Sequence, residues 1–148
     1  MNIHPCCNCN YECFNGECKY RSDDIYGLYS NMCKYDKVIL IVPMYCSNPA
    51  SLYFIFHERS QDYFMNNDEY EEIIKRLYII GIYGKAASSS DYIPCFEKWF
   101  DGSLFKSRVL GIERHLYQQS IRDSVLDIPE AKAKISNFLK EQGYKDEH

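Results

Sequence analysis

Lys37-Val38-Ile39-Leu40-Ile41-Val42 is a run of β-branched and aliphatic residues with no polar residue alternating between them. A strand with one wet face would alternate, so this pattern predicts a strand covered on both faces, as in a parallel sheet flanked by helices. Pro43 has no N–H to give to a ladder, and the reading ends the strand there. Asn48-Pro49 then reads as a helix cap and a proline in the first turn, opening a helix through Met65.

The same grammar repeats outward. Ser22 as N-cap, Asp23 and Asp24 in the first turn, and Ile25, Leu28, Tyr29 and Met32 at helical spacing predict a helix from Asp23 to about Cys33. A helix from near Asp68 over EYEEIIKR leads into LYIIGIYG, a second buried strand closed by Gly84. A short helix around Ile93–Phe100, a turn at Asp101-Gly102 and a third strand, Ser107–Ile112, follow. Asp127 and Glu130 have capping-box spacing, Pro129 sits in the first turn, and Ala131, Ile135, Phe138 and Leu139 form the buried face of a last helix. Strands alternating with helices predict an α/β fold, a doubly wound parallel sheet in a single domain over 1–148. A cysteine-rich loop (1–21) precedes its α/β core (22–148).

Composition narrows the partners. A net charge of −4 without any lysine/arginine block argues against nucleic acid and anionic membrane. The longest apolar run, Val38–Met44, is strand-sized and far short of the ~20 residues of a membrane helix. The first residues have neither the basic start nor the apolar stretch of a signal peptide, so the expected location is cytoplasmic. In a reducing compartment, five cysteines between Cys6 and Cys18 point to metal or redox chemistry rather than disulfides. Fourteen tyrosines against one tryptophan read as half-buried filling.

In open parallel sheets ligands lie beyond the carboxyl ends of the strands. Two loops belong there, Pro43-Met44-Tyr45-Cys46-Ser47-Asn48 and Tyr83-Gly84 with the polar stretch to Ser90. The first offers flat apolar surface and backbone amides. The second offers a glycine for close approach and hydroxyls. Cys33, Cys46 and Cys95 read as packing residues.

The string C-x-x-C-x-x-x-C-x-N-G-x-C from Cys6 to Cys18, the Asp23-Asp24 pair, KVILIVPMY, and the helix ending in Glu58-Arg59 stand in one order. Together they resemble the NADPH-dependent FMN reductases and iron–sulfur flavoproteins of the flavodoxin superfamily, over roughly residues 6–60. The resemblance implies a flavodoxin-like sheet incomplete at its N-terminus, since the family's first strand and phosphate-cradling loop have no counterpart near residue 1. It implies FMN lying along Pro43, Met44, Tyr45, Cys46, Ser47 and Asn48, with Tyr83 and Gly84 closing over it and no catalytic side chain. It further implies NAD(P)H as hydride donor and a small-molecule acceptor such as a quinone or free flavin. Cys6, Cys9, Cys13 and Cys18 are the matching ligand set for a 4Fe–4S cluster, which many members lack.

One physical consequence follows from the missing first strand. It would pair with Lys37–Val42, so that strand is left as an apolar edge for a homodimer mate or partner chain to cover. Two other classes compete with a flavin oxidoreductase. One is a non-catalytic flavodoxin-like domain that has lost flavin; the other is a metal-binding α/β protein using the cysteine loop.

Overall fold

The structure, a computed structural model, describes residues 1–7, 9–16, 18–85, 91–100, 102–117, 120 and 122–143. Its elements run α1 (Asp24–Met32), β1 (Val38–Tyr45), β2 (Asn48–Pro49), α2 (Ser51–Asn66), α3 (Tyr70–Arg76), β3 (Leu77–Tyr83), α4 (Gly102–Arg108), β4 (Val109–Glu113) and α5 (Pro129–Glu141), with short 3₁₀ turns between. The four strands form an open sheet in the order β2-β1-β3-β4, and β3 pairs parallel with β4 from Ile79↔Val109 to Tyr83↔Glu113. The class is therefore α/β with an open sheet, as the alternation of strand and helix patterns predicts.

The chain divides into two compact units. The first comprises Met1–Leu40 and Pro49–Tyr78, the second Ile41–Asn48 and Ile79–His148. In the first, α1 packs on α2 and α3 through an aromatic core. Tyr29, fully buried, stacks on Phe56 at 4.6 Å and on Tyr63 at 5.1 Å between ring centroids, and meets Phe64 edge-on. Its hydroxyl donates to the Phe56 carbonyl, which satisfies a group that would otherwise be costly to bury. Tyr63 likewise donates to the Glu69 carboxylate. The tyrosines here are core residues whose hydroxyls have partners, which is how a tyrosine-rich chain fills an interior without orphaned oxygens.

In the second unit, β4 and α5 enclose Ile112, Ile128, Ala131 and Phe138. Tyr92, Phe96 and Trp99 are buried around the 3₁₀ turn Pro94–Trp99, and the Tyr92 hydroxyl donates to the Val42 carbonyl. Gly81 stands opposite Gly111 in the ladder. A Cβ at Gly81 would lie 2.8 Å from Ile93 Cδ1 and 2.9 Å from Phe96 Cε2. The rings cross the strand only because no side chain stands there.

Several boundaries differ from the sequence reading. Asp23, not Ser22, caps α1: its carboxylate accepts from the Tyr26 N–H at 3.3 Å. β1 continues through Pro43 to Tyr45, which a strand tolerates where its outer neighbour is only two residues long and no ladder N–H is demanded. It is also less covered than its composition suggests, with Val42 buried but Ile41 63% exposed. Asn48-Pro49 is a strand rather than a cap, and α2 begins at Ser51. Ser107 and Arg108 belong to α4, a helix the sequence reading did not contain. Asp127 lies in a 3₁₀ turn, and α5 starts without a side-chain cap.

Replacing Gly81 by Ala drives a methyl into Ile93 and Phe96, an overpacking that costs about 1–3 kcal/mol. Denaturant unfolding should show this loss, whereas Gly27→Ala, with open space around its Cβ position, should show none.

Candidate functional site

Two places carry the chemistry that the sequence points to, one in each unit. In the first unit, the described residues of 1–23 have little regular structure of their own, and one side chain on α2 gathers them. Arg59 is 1% exposed. Its Nη1 donates to Asp23 at 2.6 Å and to the His4 carbonyl at 3.0 Å; its Nη2 donates to the Tyr20 carbonyl at 3.0 Å and to Cys18 Sγ at 3.8 Å. One guanidinium thus ties both ends of the cysteine segment and the N-terminus of α1 to a single point. Its planar fork of five donors suits this role, which a lysine's point charge could not fill. Tyr20 stacks on His4 at 4.5 Å, with the Arg59 guanidinium 5.3 Å from its ring.

The rest of that α2 face continues the grip. The Cys6 N–H donates to Glu58 Oε1 at 2.7 Å, Arg21 pairs with Asp62 at 3.1 Å, and Asn66 Nδ2 donates to the Cys13 carbonyl at 3.3 Å. Burial of Asp23 would raise its carboxyl, but the Arg59 pair and the Tyr26 N–H outweigh that and hold it below the ordinary value.

Between segment and helix lies a cavity of about 500 Å³, walled by all five cysteines of the segment with Lys19, Tyr20 and residues of α2. The thiols are not equivalent. Burial, then the nearby Glu58 carboxylate, push Cys6 up to about 11. Burial and Asp62 raise Cys13. Cys7 goes the other way: desolvation is overcome by hydrogen bonds from Lys19 and Tyr20 and by the Lys19 charge, so its thiol is lowered. Two non-glycine residues with positive φ, Asn10 at 51° and Tyr11 at 58°, turn the chain between Cys9 and Cys13.

Cys6, Cys9, Cys13 and Cys18 are thus brought around one cavity. Thiolate ligands of one zinc ion stand ~2.3 Å from the metal and so close to one another. Among the described residues, no group of three or more His, Cys, Asp or Glu side chains converges in that way. As placed, the four sulfurs are not the closed ligand shell of a single ion.

In the second unit, β1 ends in a two-residue turn. Cys46 and Ser47 both have positive φ, 47° and 64°, and Asn48 Nδ2 donates to the Cys46 carbonyl at 2.9 Å. Two consecutive left-handed residues make the tight turn that joins antiparallel strands, normally supplied by Asn-Gly. Here it is built from two residues that are strained by it, which is the kind of backbone found at ligand sites. Cys46 is exposed, which corrects its reading as a packing residue. Tyr45 is 64% exposed, Pro43 and Met44 are half-buried, and Met44 Cε approaches the open side of Gly84 at 3.8 Å. The Gly84 carbonyl accepts from the His115 N–H at 3.2 Å, and Tyr83 packs against Tyr92 at 5.7 Å between centroids. All eight residues that the family resemblance assigns to FMN therefore belong to this unit, around the ends of β1 and β3. The stretch 86–90 of the second loop lies outside the described residues. An exposed aromatic, a fixed turn and a glycine without a side chain suit a planar ring. Arg59, Lys19 and Tyr20 escaped the sequence reading as site residues; Glu58-Arg59 was visible only as part of a motif.

The architecture defines an α/β protein with an open sheet. The chain matches no family model, no curated protein and no solved structure. Among the described residues, no helix is long and apolar enough to cross a membrane.

Removing one partner of a buried ion pair strands the other charge, at about 3–5 kcal/mol. Arg59→Met should therefore lose stability on this scale at neutral pH, and adding Asp23→Asn should cost far less than its single-variant effect; additive losses in urea unfolding would show that the pair does not couple. Asp23, lowered in the folded state, contributes stability above its unfolded value of about 3.9. That contribution is lost as pH falls through the lower folded value. Acid unfolding of Asp23→Asn should accordingly lack this component.

Proposed function

We propose that the chain is an FMN-dependent, flavodoxin-like NAD(P)H oxidoreductase whose flavin ring rests on Pro43–Asn48 and Tyr83-Gly84. The observation that carries the reading is the strained turn at Cys46 and Ser47, held by Asn48 beside an exposed tyrosine at the end of β1. When bound, FMN supplies the redox chemistry, accepting hydride from a nicotinamide and passing electrons to a quinone, flavin or other small acceptor.

The chain's own contribution is orientation. Tyr45 gives a flat apolar face for the ring. The fixed turn presents backbone groups to its polar edge without reordering, so little conformational entropy is lost on binding. Gly84, with no side chain, leaves room for close approach from the neighbouring loop. No side chain needs to move a proton. A homodimer mate or partner chain over Lys37–Val42 belongs to the same reading, supported by the exposed Ile41 and the two-residue outer neighbour of β1. So does a cytoplasmic setting, where eight free thiols stay reduced.

Added FMN should bind the purified chain with quenching of flavin fluorescence, and NADPH should bleach the bound flavin. Tyr45→Ala should weaken FMN about tenfold, or about 1.4 kcal/mol, while Leu126→Ala, similarly exposed in the same unit, should not. A chain that takes up no FMN at high concentration would overturn the reading.

A further inference from the structure

We propose that the cavity of the first unit is a binding site for a small aromatic carboxylate, with the ligand's ring on Tyr11, its carboxylate held by Lys19, and the Arg59 Nε as a second donor. The site is separate from the flavin reading, since every residue that walls the cavity belongs to the first unit.

At about 500 Å³ and with mostly apolar walls, the cavity has the size and make-up of a small-molecule site. Tyr11 supplies ring surface. It is 72% exposed although it lines the cavity, so a large aromatic ring stands in water rather than in the core. Its φ of 58° is a left-handed conformation that a bulky side chain adopts only at a cost. Strain borne to hold an exposed ring beside a cavity points to something that the ring meets there. Phe14 packs on Tyr11 edge-on at 5.9 Å between centroids, which limits the ring's freedom before a ligand arrives.

Charge selects the other end of the ligand. Among the described residues the lining carries two carboxylates, Glu58 and Asp62, and two cations, Lys19 and Arg59. Both carboxylates already have donors: the Cys6 N–H on Glu58 at 2.7 Å, and Arg21 and Asn66 on Asp62 at 3.1 and 3.2 Å. The Arg59 charge is matched by Asp23. Lys19 is exposed, its ammonium 5.0 Å from the Tyr20 ring centroid, and among the described residues it forms no ion pair. The charge left unmatched is therefore positive, and an anion completes the set. A second sign agrees. Arg59 lines the cavity, and its Nε is a buried donor with no partner among the described residues. An accepting oxygen there would relieve the cost of leaving that bond unmade. A carboxylate offers two oxygens and so serves more than one donor.

The test titrates the full chain with 2-naphthoate, followed by its fluorescence, and in parallel with the neutral 2-naphthamide. The carboxylate should bind about tenfold more tightly than the amide. Lys19→Met should abolish that difference and leave the amide's affinity where it was. Tyr11→Gly should weaken both probes about tenfold; glycine takes the left-handed backbone freely, so this variant keeps the fold, which circular dichroism checks. FMN added in excess should not displace the naphthoate. Amide bound as tightly as carboxylate, no binding of either probe at millimolar concentration, or displacement by FMN would each overturn the proposal. A chain that binds naphthoate in this pattern but takes up no FMN supports the cavity site while the flavin reading alone fails.

Discussion

Arg59 is the residue on which the first unit depends. Among the described residues of 1–23 there is no strand and one short 3₁₀ turn, so the segment cannot build a core or a ladder of its own. What orders it is a buried guanidinium. Taken out of water, that group must find an anion and acceptors for its donors, and it finds Asp23, the carbonyls of His4 and Tyr20, and the sulfur of Cys18. Each partner comes from a different part of the segment. The electrostatic demand of one side chain therefore fixes the course of the segment and caps α1 through the same carboxylate. Among the described residues Arg59 Nε has no hydrogen-bond partner, a remaining cost that the other four contacts must offset.

This arrangement changes how the cysteines are understood. Dense cysteines in a segment without a core usually signal a cross-link, by disulfide or by metal. Here all five are free thiols, and the cross-links are the contacts of Glu58, Arg59, Asp62 and Asn66, four residues on one stretch of α2. Most of these contacts engage the backbone and carboxylates of the segment, and the sulfurs of Cys6 and Cys18 add to them. The second unit shows the same logic in another material. Its strained Cys46-Ser47 turn is held by the Asn48 side chain, and its crossing of rings over Gly81 depends on a missing side chain.

The three longer strands were legible because their signal is local: the apolar runs from Val38, Leu77 and Val109 need no partner to be recognised, whereas the two-residue β2 was not. The helices α1 and α5 were legible from apolar spacing, and α2 and α3 from the segments between the strands, although the Asn48-Pro49 signal that opened α2 belongs to a strand. The helix α4 was not, since GSLFKSR spans barely two turns, opens on glycine and merges into the apolar run of β4. Pro43 misled because its penalty depends on whether a neighbour demands an N–H, and that is a property of the sheet. The loops at the ends of β1 and β3 were legible as a candidate site from topology alone. The left-handed pair at Cys46 and Ser47 was hidden, because neither residue is one that favours positive φ. Asp23 and Arg59 were each visible as parts of motifs, yet their pairing spans 36 residues, and no local pattern encodes it.

The central claim is that contacts from α2 fix the cysteine segment. Amide hydrogen exchange at Cys6, Asp24 and Tyr26, all bonded to acceptors in this network, measures it directly when the chain is compared with and without a strong chelator. The account predicts slow exchange at these amides that the chelator leaves unchanged. Loss of protection on chelation, with release of stoichiometric metal, would contradict it.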